Sequence, residues 1–143
     1  MAQSDPVKVD LLSNGNRLNA LFYPTNDKYS PTLILVHGFP GNSQSPLGLA
    51  EKINAAGIKI LVFNYQGSFT SEGFFNNGNS IHDIVVAMSF LKQEKTMRQF
   101  EIDTSNIVLC GYSFGGGSSL IAAVHHPEIR KIVSIGGYDY SVD

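Results

Sequence analysis

At 143 residues, 43% of them hydrophobic, the chain has the length of one domain and enough apolar material to bury a real core. A formal net charge of −2, with the basic residues scattered rather than clustered, speaks against nucleic acid or an anionic membrane surface as a partner. The one cysteine, Cys110, rules out an intramolecular disulfide, and no segment is apolar for long enough to span a bilayer.

The N-terminal Met-Ala-Gln-Ser-Asp-Pro-Val-Lys-Val has no apolar stretch of the signal-peptide kind, so a cytoplasmic protein is expected. Val7–Leu12 and Arg17–Tyr23 are strand-like runs joined by Ser13-Asn14-Gly15-Asn16, and Asn-Gly is a strong hairpin signal. After a polar loop from Pro24 to Pro31, Thr32–Val36 is a continuous apolar strand ending in His37-Gly38-Phe39-Pro40-Gly41. Ser45-Pro46 supplies an N-cap and a first-turn proline, which predicts a helix running to about Ala56, before Gly57. Ile58–Phe63 reads as the next buried strand, followed by a Gly/Ser/Asn-rich loop over Asn64–Asn79. Ile81, Ile84, Val85, Met88 and Leu91 recur at helical spacing, the pattern of a helix packed on a sheet.

Asn106–Cys110 is a further buried strand, Phe114 to about His125 a helix, and Arg130–Ile135 a final strand. Beyond the hairpin, strands and helices alternate. Right-handed crossovers then predict a mostly parallel, doubly wound α/β sheet with helices on both faces and an antiparallel hairpin at its N-terminal edge. Cys110, inside an apolar strand, reads as a small buried hydrophobe.

Between the last strand and helix stands Gly111-Tyr112-Ser113-Phe114-Gly115, a G-x-S-x-G pentapeptide. By itself it arises by chance in about one chain in twenty of this length. Here it falls at the carboxyl end of a buried strand and opens a helix of small residues, where open α/β sheets carry their sites. A turn this sharp strains its central residue and leaves no room for flanking side chains. Gly111 and Gly115 remove them, and Gly116 and Gly117 extend the cleared space along the helix start. Ser113 is thereby presented outward, and the N–H of Phe114, in the first helical turn, is a candidate donor to an anion.

With His-Gly-Phe-Pro-Gly after one strand and Gly-Tyr-Ser-Phe-Gly-Gly after a later one, the chain resembles the N-terminal portion of an α/β-hydrolase, through the sixth strand. A third segment, Phe63-Asn64-Tyr65-Gln66-Gly67-Ser68-Phe69-Thr70-Ser71-Glu72-Gly73, is similar to the family's Asp/Asn-x-Arg-Gly-x-Gly-x-Ser loop. It departs from that pattern with Gln66 in the arginine position and Phe69 in a glycine position, which questions how that loop packs.

The resemblance implies Ser113 as nucleophile and the N–H groups of Phe39 and Phe114 as the oxyanion hole. A serine rather than an aspartate at the elbow fits acyl transfer, and the motif looks most like dienelactone-hydrolase-like esterases and prolyl-oligopeptidase-like enzymes. Ester or amide hydrolysis through an acyl-enzyme on Ser113 is therefore expected, on a small-molecule substrate and without a cofactor. No His/Cys/carboxylate cluster shows metal-ligand spacing.

The family's triad acid usually follows the seventh strand and its histidine the eighth. None of the four histidines fits the base. His125 and His126 lie about 18 Å along the helix from Ser113, His37 reads as a structural residue of the oxyanion loop, and His82 as a solvated first-turn residue. Asp139, in Gly136-Gly137-Tyr138-Asp139-Tyr140, is the one acid to weigh, against an ordinary loop role; Asp143 is terminal. The chain is thus expected to be one α/β-hydrolase domain, residues 1–143, lacking its last strands and nearly inactive alone. Its final strand would be an open edge inviting self-association or a complementing C-terminal segment. A non-catalytic binding module on the same scaffold is the alternative, and an acyltransferase or lyase a third reading.

Overall fold

The structure, a computed structural model, describes residues 5–38 and 46–142. The hairpin forms where Asn14-Gly15 predicts it. Asn14 and Gly15 take φ of 52° and 77°, the two left-handed residues of a type I′ turn, between β1 (Val7–Ser13) and β2 (Asn16–Tyr23). Then follow β3 (Thr32–Val36), α1 (Leu49–Ala55), β4 (Lys59–Phe63), α2 (Asn77–Lys92), α3 (Glu94–Phe100), β5 (Ile107–Tyr112), α4 (Phe114–His125) and β6 (Ile132–Ile135). The strands pair in the order β1-β2-β4-β3-β5-β6, antiparallel for β1-β2 and β2-β4 and parallel for the rest.

The central strands β3 and β4 are buried at every position because both faces are covered. Ile34, Val36, Leu61, Phe63 and Leu109 join a core with Ile84, Met88 and Leu91 of α2 and Ala122 of α4. The alternate residues Leu33, Leu35, Ile60, Val62 and Cys110 pack with Ala50, Leu49 and Ile53 of α1 on the other face. β6 has no such cover: Val133 is 46% and Ile135 37% exposed. None of the helices among the described residues is long and apolar enough to cross a membrane.

Three local expectations are corrected. The predicted cap Ser45 lies outside the described residues, and Pro46 opens only a 3-10 turn over Pro46–Gly48. Leu47 and Gly48 take φ of 57° and 66°, which interrupts the helix, so α1 starts at Leu49. α2 starts inside the predicted loop, because the Asn76 side chain accepts the N–H of Asn79 at 2.7 Å and caps it. Its buried side, Ser80, Asp83, Ile84, Ala87, Met88 and Leu91, is more polar than the predicted stripe, and Ile81 and Val85 are only half-buried. α3 was not foreseen; with only Thr96 and Phe100 buried, its seven residues carry too little periodic signal.

Two buried polar groups brace the sheet. Lys59, fully buried, donates to the carbonyls of Asp27, Lys28 and Ser30 at 3.0, 3.4 and 3.3 Å, and burial lowers its pKa. Asp83, also fully buried, accepts from three neutral donors: Ser13 Oγ at 2.6 Å, Gln66 Nε2 at 2.7 Å and the Gln66 backbone N–H at 2.8 Å. Gln66, in the family's arginine position, is thus packed inside, and Asn16 Nδ2 completes it by donating to its Oε1 at 3.0 Å. Asp83→Asn turns one acceptor into a donor facing donors and should cost about 2 kcal/mol. Urea unfolding measures this, and an unchanged midpoint would contradict the three-donor arrangement.

Candidate active site

β5 hands the chain to α4 through a single residue. Ser113 sits at φ 53°, ψ −116°, outside the regions side-chain-bearing residues favour. Its backbone is held on both sides. The Ser113 N–H donates to Ile135 O at 2.9 Å, and its carbonyl accepts from Tyr138 N at 2.9 Å and Gly117 N at 3.1 Å. The strain at the serine is therefore maintained by β6 and the segment that follows it.

The glycines divide into two groups. A Cβ on Gly111 would meet the carbonyl of Gly115, and one on Gly115 would lie 2.6 Å from the carbonyl oxygens of both Val36 and His37. These two allow the elbow itself. A Cβ on Gly116 would lie 2.6 Å from Ser134 Oγ, and one on Gly117 would meet the Tyr138 carbonyl and, at 2.7 Å, the Tyr140 ring. That second pair admits the chain leaving β6, which then folds back along α4. Tyr140 OH lies 2.8 Å from Ser118 Oγ, and its ring packs on Phe114 at 5.7 Å.

The loop leaving β3 passes directly against the nucleophile: a Cβ on Gly38 would lie 3.2 Å from Ser113 Cβ. His37 precedes it, 2% exposed, with Nδ1 2.7 Å from the Gly38 carbonyl and its ring 4.4 Å from that of Tyr65. A carbonyl only accepts, so Nδ1 carries the hydrogen. Burial lowers the His37 pKa, and the bond to Gly38 opposes this more weakly. The unfolded chain therefore binds the proton first as pH falls. Stability is present above the ordinary value of 6.5 and declines as pH drops from there through the lowered folded value. The unfolding free energy should lose part of its acid-side pH slope in His37→Asn, measured by denaturant titration at several pH values.

The residues singled out by sequence are distributed as follows. Phe114 is the first residue of α4, beside Ser113, with its ring against Tyr65 and Phe75 at 5.7 and 5.4 Å. Phe39 lies outside the described residues, as does Asp143. Asp139 is exposed, and its carboxylate accepts from the Ser141 hydroxyl at 2.6 Å and N–H at 2.8 Å, bonds that hold it below the usual carboxylate range. It therefore caps a local turn. His82 is exposed and lines a cleft with Asp10, Leu12 and Val85, against the edge strand β1. His125 ends α4, and His126 Nδ1 stands 3.4 Å from Glu128. Among the described residues no group of three or more His, Cys, Asp or Glu is placed to hold a metal ion.

Sequence reasoning missed Tyr65, whose hydroxyl reaches the His37 carbonyl, and the Tyr138–Tyr140 segment that braces the elbow. The run Gly116-Gly117, two glycines beyond those the elbow needs, was the available signal for the second.

The fold is that of a known family. The model of the alpha/beta hydrolase fold family matches residues 31–143, and the chain belongs to that family. It is 28% identical over 135 residues to the quorum-quenching protein AidA of Acinetobacter baumannii, covering 90% of this chain and 43% of that protein. It is 31% identical over 118 residues to a thermostable monoacylglycerol lipase of a Bacillus species, covering 80% of this chain and 42% of the lipase. Among solved structures, the alpha/beta hydrolase GrgF of a Penicillium species superimposes with a TM-score of 0.79 at 21% identity, over 90% of this chain and 45% of that one. The chain thus spans less than half the length of these relatives.

Proposed function

We propose that the whole protein is a serine hydrolase that cleaves an ester or amide of a small molecule, with Ser113 as nucleophile. The observation that carries this reading is the strained Ser113, at φ 53° on a strand-to-helix elbow, with Gly38 of the facing loop packed against it. Strain of this kind costs about 1–3 kcal/mol and persists where the surroundings enforce it, commonly at functional sites. The similarity to a monoacylglycerol lipase supports ester chemistry.

In this reading the Ser113 oxygen attacks the substrate carbonyl carbon and its proton passes to a histidine base. The carbonyl oxygen, now negative, receives hydrogen bonds from the N–H groups of Phe114 and Phe39. Collapse expels the alcohol or amine, which takes the proton from the histidine. Water then releases the acid from the acyl-enzyme by the same steps.

Among the described residues no histidine is hydrogen-bonded to Ser113; His37 Nδ1 is taken by the Gly38 carbonyl and His126 stands beside Glu128. We assign the base and the acid to sequence outside residues 1–143, which form the nucleophile-bearing part of one larger hydrolase domain. The exposed apolar strand β6 fits this, as the place where such a segment adds to the sheet. Asp139, committed to Ser141, is the weaker choice for the acid.

The test is treatment of the full-length native protein with a fluorophosphonate. An adduct on Ser113, abolished by prior unfolding, is expected. Failure to label the folded protein would favour the alternative, a non-catalytic binding module on this scaffold.

A further inference from the structure

We propose that the hydroxyl of Tyr65 is the positioning group for the loop that faces Ser113; this rests on the hydrolase reading above. Tyr65 lies just beyond β4 and is completely buried. Its ring is surrounded by Phe63 at 5.7 Å, Phe75 at 5.9 Å, Phe114 at 5.7 Å and His37 at 4.4 Å. In such surroundings a phenylalanine would pack equally well, and a hydroxyl is costly to bury unless it finds a partner. The partner is the carbonyl of His37, 2.8 Å away.

That carbonyl belongs to the first residue after β3, where the strand ladder ends and the chain turns across the elbow. It sits in a slot. Tyr65 donates to it from one direction, and Gly115 of the elbow approaches so closely that a Cβ there would come within 2.6 Å. A peptide unit is planar, so fixing the His37 carbonyl also fixes the N–H and Cα of Gly38. Gly38 is the residue packed against Ser113, and its own carbonyl is pinned by His37 Nδ1 at 2.7 Å. Both carbonyls of the loop's first two residues are therefore held by side chains.

Tyr65 is itself anchored. The next residue, Gln66, donates its N–H to the buried carboxylate of Asp83 at 2.8 Å, and the Tyr65 carbonyl accepts from Ser68 N at 3.0 Å. Burial, chiefly, with Tyr140 and Asp83 adding to it, raises the Tyr65 pKa well above the ordinary value, so the hydroxyl stays a donor throughout the working pH range. The result is a continuous connection from α2 through Tyr65 to the backbone beside the nucleophile.

The experiment compares full-length parent, Tyr65→Phe and a variant carrying 4-aminophenylalanine at position 65, with p-nitrophenyl acetate as substrate. Loss of one well-placed donor to the catalytic loop should lower kcat about 10- to 100-fold, with KM within about twofold. Affinity for phenylboronic acid, which forms a tetrahedral adduct on a serine, should fall in step. The aminophenyl side chain, which restores a donor of the same shape, should recover most of both losses. Tyr65→Phe removes one atom from a packed ring, so the fold is retained, and circular dichroism verifies this. Turnover that depends on Ser113 but stays within about twofold in Tyr65→Phe overturns this proposal alone. A loss that the aminophenyl variant does not recover overturns it as well. Turnover that is unchanged in Ser113→Ala overturns the hydrolase reading and this inference together.

Discussion

Ser113→Ala in the full-length protein should lower turnover of an activated ester by about 10⁶-fold, the loss seen when a triad serine is removed. The oxyanion donors and substrate binding would remain, and they alone leave roughly 10³–10⁴ over the uncatalysed rate. The expectation has a second half that separates a nucleophile from an ordinary turn serine. Because Ser113 is held at φ 53°, Ser113→Gly relieves backbone strain and should raise stability by about 1–3 kcal/mol while abolishing activity. Thermal unfolding and steady-state kinetics on the same samples measure the two halves. Activity that survives in Ser113→Ala would sink the assignment, and a Ser113→Gly variant less stable than the parent would contradict the strain.

Gly115→Ala should be among the most damaging single methyl groups in the described residues of the site. Its Cβ would lie 2.6 Å from the oxygens of Val36 and His37 and 2.9 Å from the Val36 carbonyl carbon. All three are backbone atoms of the central strand β3 and the residue after it, so no side-chain rotation relieves the contact. Strand, elbow or both must move, at a cost of about 3–5 kcal/mol. The movement also draws His37 and Gly38 away from Ser113, so activity should fall even where the variant folds. Gly78→Ala in α2 is the control, because the nearest atom to a Cβ there is Asn76 Oδ1 at 3.5 Å. That change should be neutral or stabilise by up to about 1 kcal/mol. Equal unfolding midpoints for the two variants, by urea titration, would refute the close approach at the elbow.

The contrast between these glycines bears on how much of the molecule was legible beforehand. Gly111 and Gly115 announce the elbow because the turn they permit is local, completed within five residues between a strand and a helix. The same locality made the Asn14-Gly15 hairpin and the alternating strands and helices readable, and with them the parallel sheet. α1 began later than predicted because Leu47 and Gly48 adopt left-handed backbone, which the Ser-Pro signal does not encode. α3 escaped because a short polar helix with two buried residues has no period to detect.

The sequence by itself determined the order of the strands and of every helix but α3, the family and the residue at the elbow, since each is written in neighbouring side chains or in spacings of a few positions. Only the tertiary structure decided what holds that residue in place. Tyr65 meets His37 from 28 positions away, and Asp83 receives Gln66 from 17 and Ser13 from 70. The backbone of Ser113 is secured by Ile135, at the end of the neighbouring strand β6, and by Tyr138 just beyond it. Such contacts depend on which strands become neighbours in the sheet and on how closely their loops cross. A buried donor or acceptor must find a partner wherever the packing puts one, and no local pattern names that partner in advance.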